Sequence, residues 1–120
     1  SWVAYMIHNK FQIIVGYAYG DIRPVTKNGN HTHHAYIGLV EIHQKWLGKK
    51  LCFPLMKFTM CSALKNGVSS IELNNVGGIP ACKCYIRAGQ SLGMVINKGD
   101  IKNVEMCLKE DPDISFMFEK

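Results

Sequence analysis

Residues 42–52 combine a glycine with three lysines at a point where a strand is expected to pass into a helix. The first N–H groups of a helix have no partner within the helix and lie at the positive end of its dipole, so they can bind phosphate. Gly48 would permit close backbone approach, and Lys45, Lys49 and Lys50 would add positive charge. The segment predicts a phosphate-binding loop, and an ordinary strand-to-helix loop with solvated lysines is the alternative.

A second segment, residues 78–90, places Ala81 and Tyr85 four positions apart, hence on one face of an expected helix. A small side chain beside a phenol leaves room for a narrow apolar arm that ends in a thiol. The reference pKa of a phenol, about 10, is close enough to that of a thiol for Tyr85 to protonate a departing thiolate. The alternative is that Tyr85 is a half-buried aromatic that anchors the helix to a sheet.

The elements that would position these segments follow from apolar periodicity and from turn residues. A hairpin is expected first, with its turn at residues 9–10, and a loop at residues 23–31 precedes the third strand. Alternating helices and strands follow, with Pro54 in the first turn of the first helix and Gly89 as the stop of the second. The predicted strands are residues 2–7, 11–19, 34–42, 69–73, 92–96 and 114–118, and the predicted helices are residues 53–65, 80–88 and 100–108.

Composition limits the class of protein. The chain of 120 residues is 48% hydrophobic and 19% charged, which predicts a single globular domain over residues 1–120. No apolar run reaches the roughly 18 residues of a membrane helix, so no membrane partner is expected. The five cysteines are odd in number and lack a Cys-x-x-Cys pair, which argues against a disulfide or zinc framework. We therefore expect a reducing, intracellular location, either cytoplasmic or nuclear.

The phosphate-loop segment resembles a motif of the GNAT superfamily of acyl-CoA N-acyltransferases. That motif has the form Val-x-Pro-x-Tyr-Arg-Gly-x-Gly-x-Gly/Ala, and residues 42–52 match it in kind at Ile42, Trp46, Gly48, Leu51 and Cys52. Three positions depart from it: Gln44 replaces the proline, Leu47 the arginine and Lys50 the central glycine. Lys50 would either crowd the backbone contact to a pyrophosphate or reach a phosphate oxygen itself.

The tyrosine segment resembles a later motif of the same family, Asn-x-x-Ala-x-x-x-Tyr-x-Lys-x-Gly-Phe. It matches at Ala81, Tyr85, Arg87 and Gly89. The two motifs occur in the family's order, so the resemblance covers nearly the whole chain. It implies an α+β sandwich with a mixed, mostly antiparallel sheet and helices on both faces. The strand and helices that usually open the family's fold have no counterpart here, which suggests a fragment or a shortened member.

The resemblance also implies a function, N-acetyl transfer from acetyl-CoA to a small-molecule or protein amine. Backbone N–H groups near residues 40–42 would stabilise the oxyanion, and Tyr85 would protonate the thiolate. Glu41 and His34 are the candidate general bases, beside a proton path relayed by water. The implied cofactor-binding residues are Val40, Ile42, Leu47, Gly48, Lys49, Lys50, Leu51, Cys52 and Ala81.

Three other interpretations compete with the enzyme. The histidines of residues 31–34 could hold a metal, but no partner cysteine or carboxylate pair stands at ligand spacing, so no metal site is predicted. The net charge of +5 could serve nucleic acid, although no nucleic-acid motif is present. A GNAT-like domain that has lost catalysis and serves as a binding module would explain Leu47 and Lys50.

Overall fold

The computed structural model describes residues 2–8, 11–109 and 113–120, so the predicted turn at residues 9–10 lies outside the described part. Six strands and three α-helices are present there. The strands are β1 (Trp2–His8), β2 (Ile13–Lys27), β3 (Asn30–Ile42), β4 (Val68–Gly77), β5 (Val95–Ile96) and β6 (Asp113–Glu119). The helices are α1 (Cys52–Lys65), α2 (Ile79–Ser91) and α3 (Ile101–Lys109).

The strands form one sheet in the order β1-β2-β3-β4-β6-β5. Every neighbouring pair is antiparallel except β3 and β4, which run parallel because α1 connects them as a crossover. The predicted mixed, mostly antiparallel sheet is confirmed.

One face of this sheet carries the hydrophobic core. Core side chains alternate along the strands, as Ala35 and Ile37 do on β3, and pack against Met56 and Met60 of α1 and Tyr85 of α2. Both long helices therefore cover the same face, and α3 lies beside α2 and β6. The expectation of helices on both faces differs from this arrangement, because the described helices leave the opposite sheet face open.

Several element boundaries differ from those expected, including the start of β5, which is at Val95 instead of residue 92. The predicted loop at residues 23–31 is a tight turn, because Asn28 and Gly29 both adopt positive φ and let β2 and β3 pair up to their ends. Strand β4 continues to Gly77. Gly89 does not stop α2: it is buried inside the helix, and a Cβ there would overlap the ring of Phe118. A residue without a side chain is needed there for helix-to-sheet contact.

Strands β3 and β4 separate part way along their length. Their register runs from His33↔Val68 to Ile37↔Leu73 and then ends, although both strands continue. Gly38 is an extra residue on β3, since Tyr19 pairs with Leu39 whereas Gly20 pairs with Ile37. Such a bulge bends a strand and interrupts its ladder, so it opens a slot between β3 and β4.

Two pairs of cysteines are joined, which corrects the expectation that none would be. Cys52 of α1 is bonded to Cys84 of α2, with Cα atoms 6.3 Å apart, and Cys82 to Cys107 of α3, with Cα atoms 6.0 Å apart. These separations lie in the usual range for disulfides. The counting argument was wrong because it considered spacing along the chain, whereas helix packing brings residues 25 and 32 positions apart together.

Candidate functional site

A cavity of about 480 Å³ lies between the loop before α1 and the start of α2, where β3 and β4 separate. Eight of the nine predicted cofactor-binding residues line it, and Tyr85 lines it with them. Lys49 is the exception and is not among the lining residues. The eight are Val40, Ile42, Leu47, Gly48, Lys50, Leu51, Cys52 and Ala81. The fold thus brings together two motifs that are separated by a helix and a strand.

The loop before α1 offers backbone donors to this cavity. Leu51 at the helix N-cap makes no side-chain cap hydrogen bond, and the first turn contains no acidic residue. Pro54 supplies no N–H group, so the donors of the first turn are those of Cys52 and Phe53. At Gly48 the φ angle is 76°, and a Cβ would meet nothing within 4 Å, so the loop is open at this point.

Lys50 adopts a left-handed backbone conformation, with φ of 58°. L-residues with a side chain adopt this conformation at an energetic cost, and glycine adopts it freely. The motif that this segment resembles has its central glycine at this position, and the backbone here has a shape that glycine adopts freely. Lys50 also lines the cavity, which brings a cation to the predicted phosphate-binding loop.

Tyr85 of α2 lines the cavity and is only 8% exposed. Burial raises the pKa of Tyr85 to about 12, because removing the phenolate from water disfavours the charged form. The phenol therefore stays protonated at neutral pH and can act as a proton donor.

The slot between β3 and β4 leads from this cavity through the sheet. A smaller cavity of about 230 Å³ shares Val40, Ala81 and Tyr85 with the first. It also shares Gly38 and Asn74 with a depression of about 270 Å³ on the open sheet face. Beyond Ile37, the β3 backbone groups that point toward β4 have no partner in the described β3–β4 ladder. Two ligands could therefore reach Tyr85 from opposite sides of the sheet.

Neither of the predicted general bases lies in this cavity. The Glu41 carboxylate accepts a hydrogen bond of 2.9 Å from the Tyr17 hydroxyl in a separate depression on the open face. Side chains alternate along β3, so Glu41 points away from Val40 and Ile42. The bulge at Gly38 reverses the alternation, which places His34 on the open face too, whereas an unbulged strand would have put it on the same face as Val40.

His34 lines a different cleft of about 580 Å³. Its Nδ1 atom is hydrogen-bonded to the Ser70 hydroxyl, and its Nε2 atom lies 4.0 Å from the Glu72 carboxylate. Burial, helped by the charge of Arg23, lowers the pKa of His34, and burial together with Asp100 raises that of Glu72. The network joins β3 to β4 across the sheet, at some distance along the strands from Tyr85.

Four features of the site escaped the sequence interpretation. Gly38, Asn74, Gly77 and Pro80 line the slot or the cavity. Proline at the start of α2 was recognisable, but only as a helix signal. Nothing in the sequence marks the bulge, since a glycine inside a strand pattern indicates a bulge only weakly.

No helix in the described ranges is both long and apolar enough to cross a membrane. Within those ranges, no group of three or more His, Cys, Asp or Glu side chains is placed to hold a metal ion.

Comparison with known proteins yields matches among solved structures, whereas no protein-family model and no curated protein matches the chain. The structure of the NatC complex bound to Gag peptide and CoA matches with a TM-score of 0.59 at 14% identity, over 94% of this chain and 65% of that one. Mosquito arylalkylamine N-acetyltransferase like 5b matches with a TM-score of 0.55 at 13% identity, over 98% and 73%.

An acetyltransferase from Vibrio fischeri matches with a TM-score of 0.51 at 17% identity, over 59% of this chain and 57% of that one. The chain therefore spans less than two thirds of the length of the Vibrio and NatC chains. At these identities the likeness concerns the fold. Together with the sheet order, the slot and the crossover, it shows that this chain has the fold of the GNAT-type N-acetyltransferases.

Proposed function

We propose that the chain is an acyl-CoA-dependent N-acyltransferase that moves an acetyl group from acetyl-CoA to an amine. The observation that carries the proposal is the convergence of Gly48, Lys50, Ala81 and Tyr85 on one cavity that opens through the sheet. Acetyl-CoA would supply an activated acetyl group as a thioester. Its pyrophosphate would lie at the loop before α1, and its narrow arm would pass Ala81.

The residues of the chain divide the chemistry among them. Backbone N–H groups of β3 beyond Gly38, which lie outside the described β3–β4 ladder, would stabilise the oxyanion that forms when the amine attacks the carbonyl. The uncharged amine nitrogen would form the new C–N bond first, and the C–S bond would then break as the Tyr85 hydroxyl gives its proton to the departing thiolate; the proton that the nitrogen loses would return to the Tyr85 phenolate. Because Glu41 and His34 face other depressions, we assign removal of the ammonium proton to a water path through the slot.

The decisive experiment is calorimetric titration of the protein with acetyl-CoA. Binding in the micromolar range is expected, and no heat at millimolar ligand would contradict the proposal. Ala81→Phe should abolish binding, because the ring would fill the passage between α2 and β3. Gln90→Phe places the same ring on an exposed position of α2 outside the cavity and should leave binding unchanged.

Turnover separates an enzyme from a binding module. A protein that binds acetyl-CoA but releases no free thiol with any of a panel of amines and peptide N-termini would be a module without catalysis. Release of free thiol that depends on the amine would establish transfer.

A further inference from the structure

A cluster of two cations and one aromatic ring lies where α1 meets α2. The Arg87 guanidinium carbon is 4.5 Å from the centroid of the Phe53 ring, and the Lys57 Nζ atom is 5.9 Å from the same centroid. Arginine stacks on aromatic faces in this way while its N–H donors remain directed outward. We call Phe53, Lys57 and Arg87 the Phe53 cluster. The ring holds the guanidinium in place on the surface.

Among the described residues, no ion pair compensates the positive charge of this cluster. Neither α1 nor α2 contains an aspartate or a glutamate. The ion pairs found among the described residues all involve strand residues and include neither Lys57 nor Arg87. Surface cations on helices commonly pair with acidic residues one turn away. Because α1 and α2 contain no acidic residues, Lys57 and Arg87 form a site suited to an anion.

The cluster adjoins residues that line the cavity of about 480 Å³. Phe53 directly follows Cys52, which lines the cavity, and Cys52 is bonded to Cys84, one turn before Arg87 on α2. The backbone donors of Cys52 and Phe53, predicted to face a pyrophosphate, thus adjoin the Phe53 cluster. A ligand held at those donors would bring any further anionic group within reach of Arg87.

We propose that the Phe53 cluster binds the phosphate monoester on the 3′ carbon of the CoA ribose, with Arg87 as the principal contact. This inference rests on the proposed function and goes beyond it, because it assigns a specificity for the phosphorylated form of the cofactor. A phosphate monoester carries up to two negative charges, and a guanidinium matches its oxygens in a two-pronged contact. The pyrophosphate itself would be held by the loop before α1 and would not require Arg87.

The test compares acetyl-CoA with acetyl-dephospho-CoA, which lacks only the 3′-phosphate. Since a charge-assisted hydrogen bond contributes at least a factor of roughly ten, the unaltered protein should bind acetyl-CoA about tenfold more tightly. Arg87→Gln should bring the ratio of the two affinities close to one, because it weakens the binding of acetyl-CoA alone. Arg87→Lys should keep part of the tenfold difference. Lys65→Gln removes a cation from the far end of α1 and should leave both affinities unchanged.

Each outcome either supports or contradicts the proposed 3′-phosphate site. Equal affinity of the unaltered protein for both compounds overturns the 3′-phosphate site but leaves the proposed function intact, whereas no binding of either overturns both. If Arg87→Gln weakens both compounds equally, Arg87 acts on the pyrophosphate or on the fold, and the inference fails. Because the first comparison needs no variant, it holds even if a substitution prevents folding.

Discussion

The disulfide between Cys52 and Cys84 fastens the first residue of α1 to the α2 residue that immediately precedes Tyr85. It therefore ties the predicted phosphate loop to the helix that carries Tyr85, the proposed proton donor. A cross-link over 32 residues restricts the unfolded chain and is expected to stabilise the fold by roughly 3 to 4 kcal/mol.

Reduction of this bond is predicted to lower the free energy of unfolding and weaken acetyl-CoA binding. Urea unfolding, measured without and with a dithiol, should show the same loss of stability in Cys84→Ser. Cys61→Ser serves as the control, because Cys61 is unpaired in the structure. A Cys84→Ser variant as stable as the unaltered protein would show that the pair is not bonded in solution.

Tyr85→Phe is predicted to lower turnover by a factor of roughly 10² or more, the usual contribution of a positioned proton donor. The acetyl-CoA dissociation constant should change by less than about twofold, because the ring that shapes the cavity remains. Steady-state kinetics and calorimetry provide the two readings. An unchanged rate would assign Tyr85 a packing role only.

The raised pKa of Tyr85 makes a separate prediction about alkaline stability. Its folded pKa, about 12, lies above the usual value of 10.0, so Tyr85 contributes stability that is full below pH 10 and is lost as pH rises through 12. The free energy of unfolding, measured from pH 9 to 12, should decline less steeply in Tyr85→Phe than in the unaltered protein. Parallel declines would argue against burial of the phenol.

Lys50→Gly is predicted to stabilise the fold by about 1 kcal/mol, because glycine adopts positive φ without the penalty that a side chain brings. Lys50→Ala is the matched control: it removes the same charge but keeps the penalty. Acetyl-CoA affinity then tells the two roles of Lys50 apart. If both variants bind less tightly, the ammonium contacts phosphate; if Lys50→Gly binds more tightly, the side chain crowds the loop.

The lowered pKa of His34 leads us to predict that the protein loses stability in mild acid. Its folded pKa is lowered from 6.5, so the unfolded chain takes up the proton first, and stability falls as pH drops below 6.5 toward the folded value. His34→Gln should make the decline between pH 7 and 5 shallower while still offering Ser70 a polar partner. Thermal unfolding across that pH range measures the decline. The same dependence of stability on pH in both proteins would contradict a buried, neutral His34.

Gly89→Ala is predicted to destabilise the protein by roughly 1 to 3 kcal/mol, the usual cost of overpacking a core. The added methyl group would overlap the Phe118 ring, which is fully buried and has little room to move. Gly77→Ala is the control for stability, because a Cβ at Gly77 meets nothing within 4 Å. Similar unfolding midpoints for the two variants would contradict this close packing.

The sequence by itself determined the type and order of the elements, because those depend on neighbours along the chain. Periodicity and proline position were enough to locate α1, and the expected strand order led to a mixed sheet. Many residues that line the cavity beside the loop before α1 were also identifiable through the two motif resemblances, because that loop and the face of α2 are each continuous segments.

Only the tertiary structure decided the features that depend on register and on contacts between distant residues. One inserted residue at Gly38 reverses side-chain alternation on β3 and moves His34 to the open face. Cys52 meets Cys84 only because α1 packs on α2, so counting cysteines was misleading. The slot that leads to Tyr85 exists because two strands stop pairing, and no local pattern of residues encodes where a ladder ends.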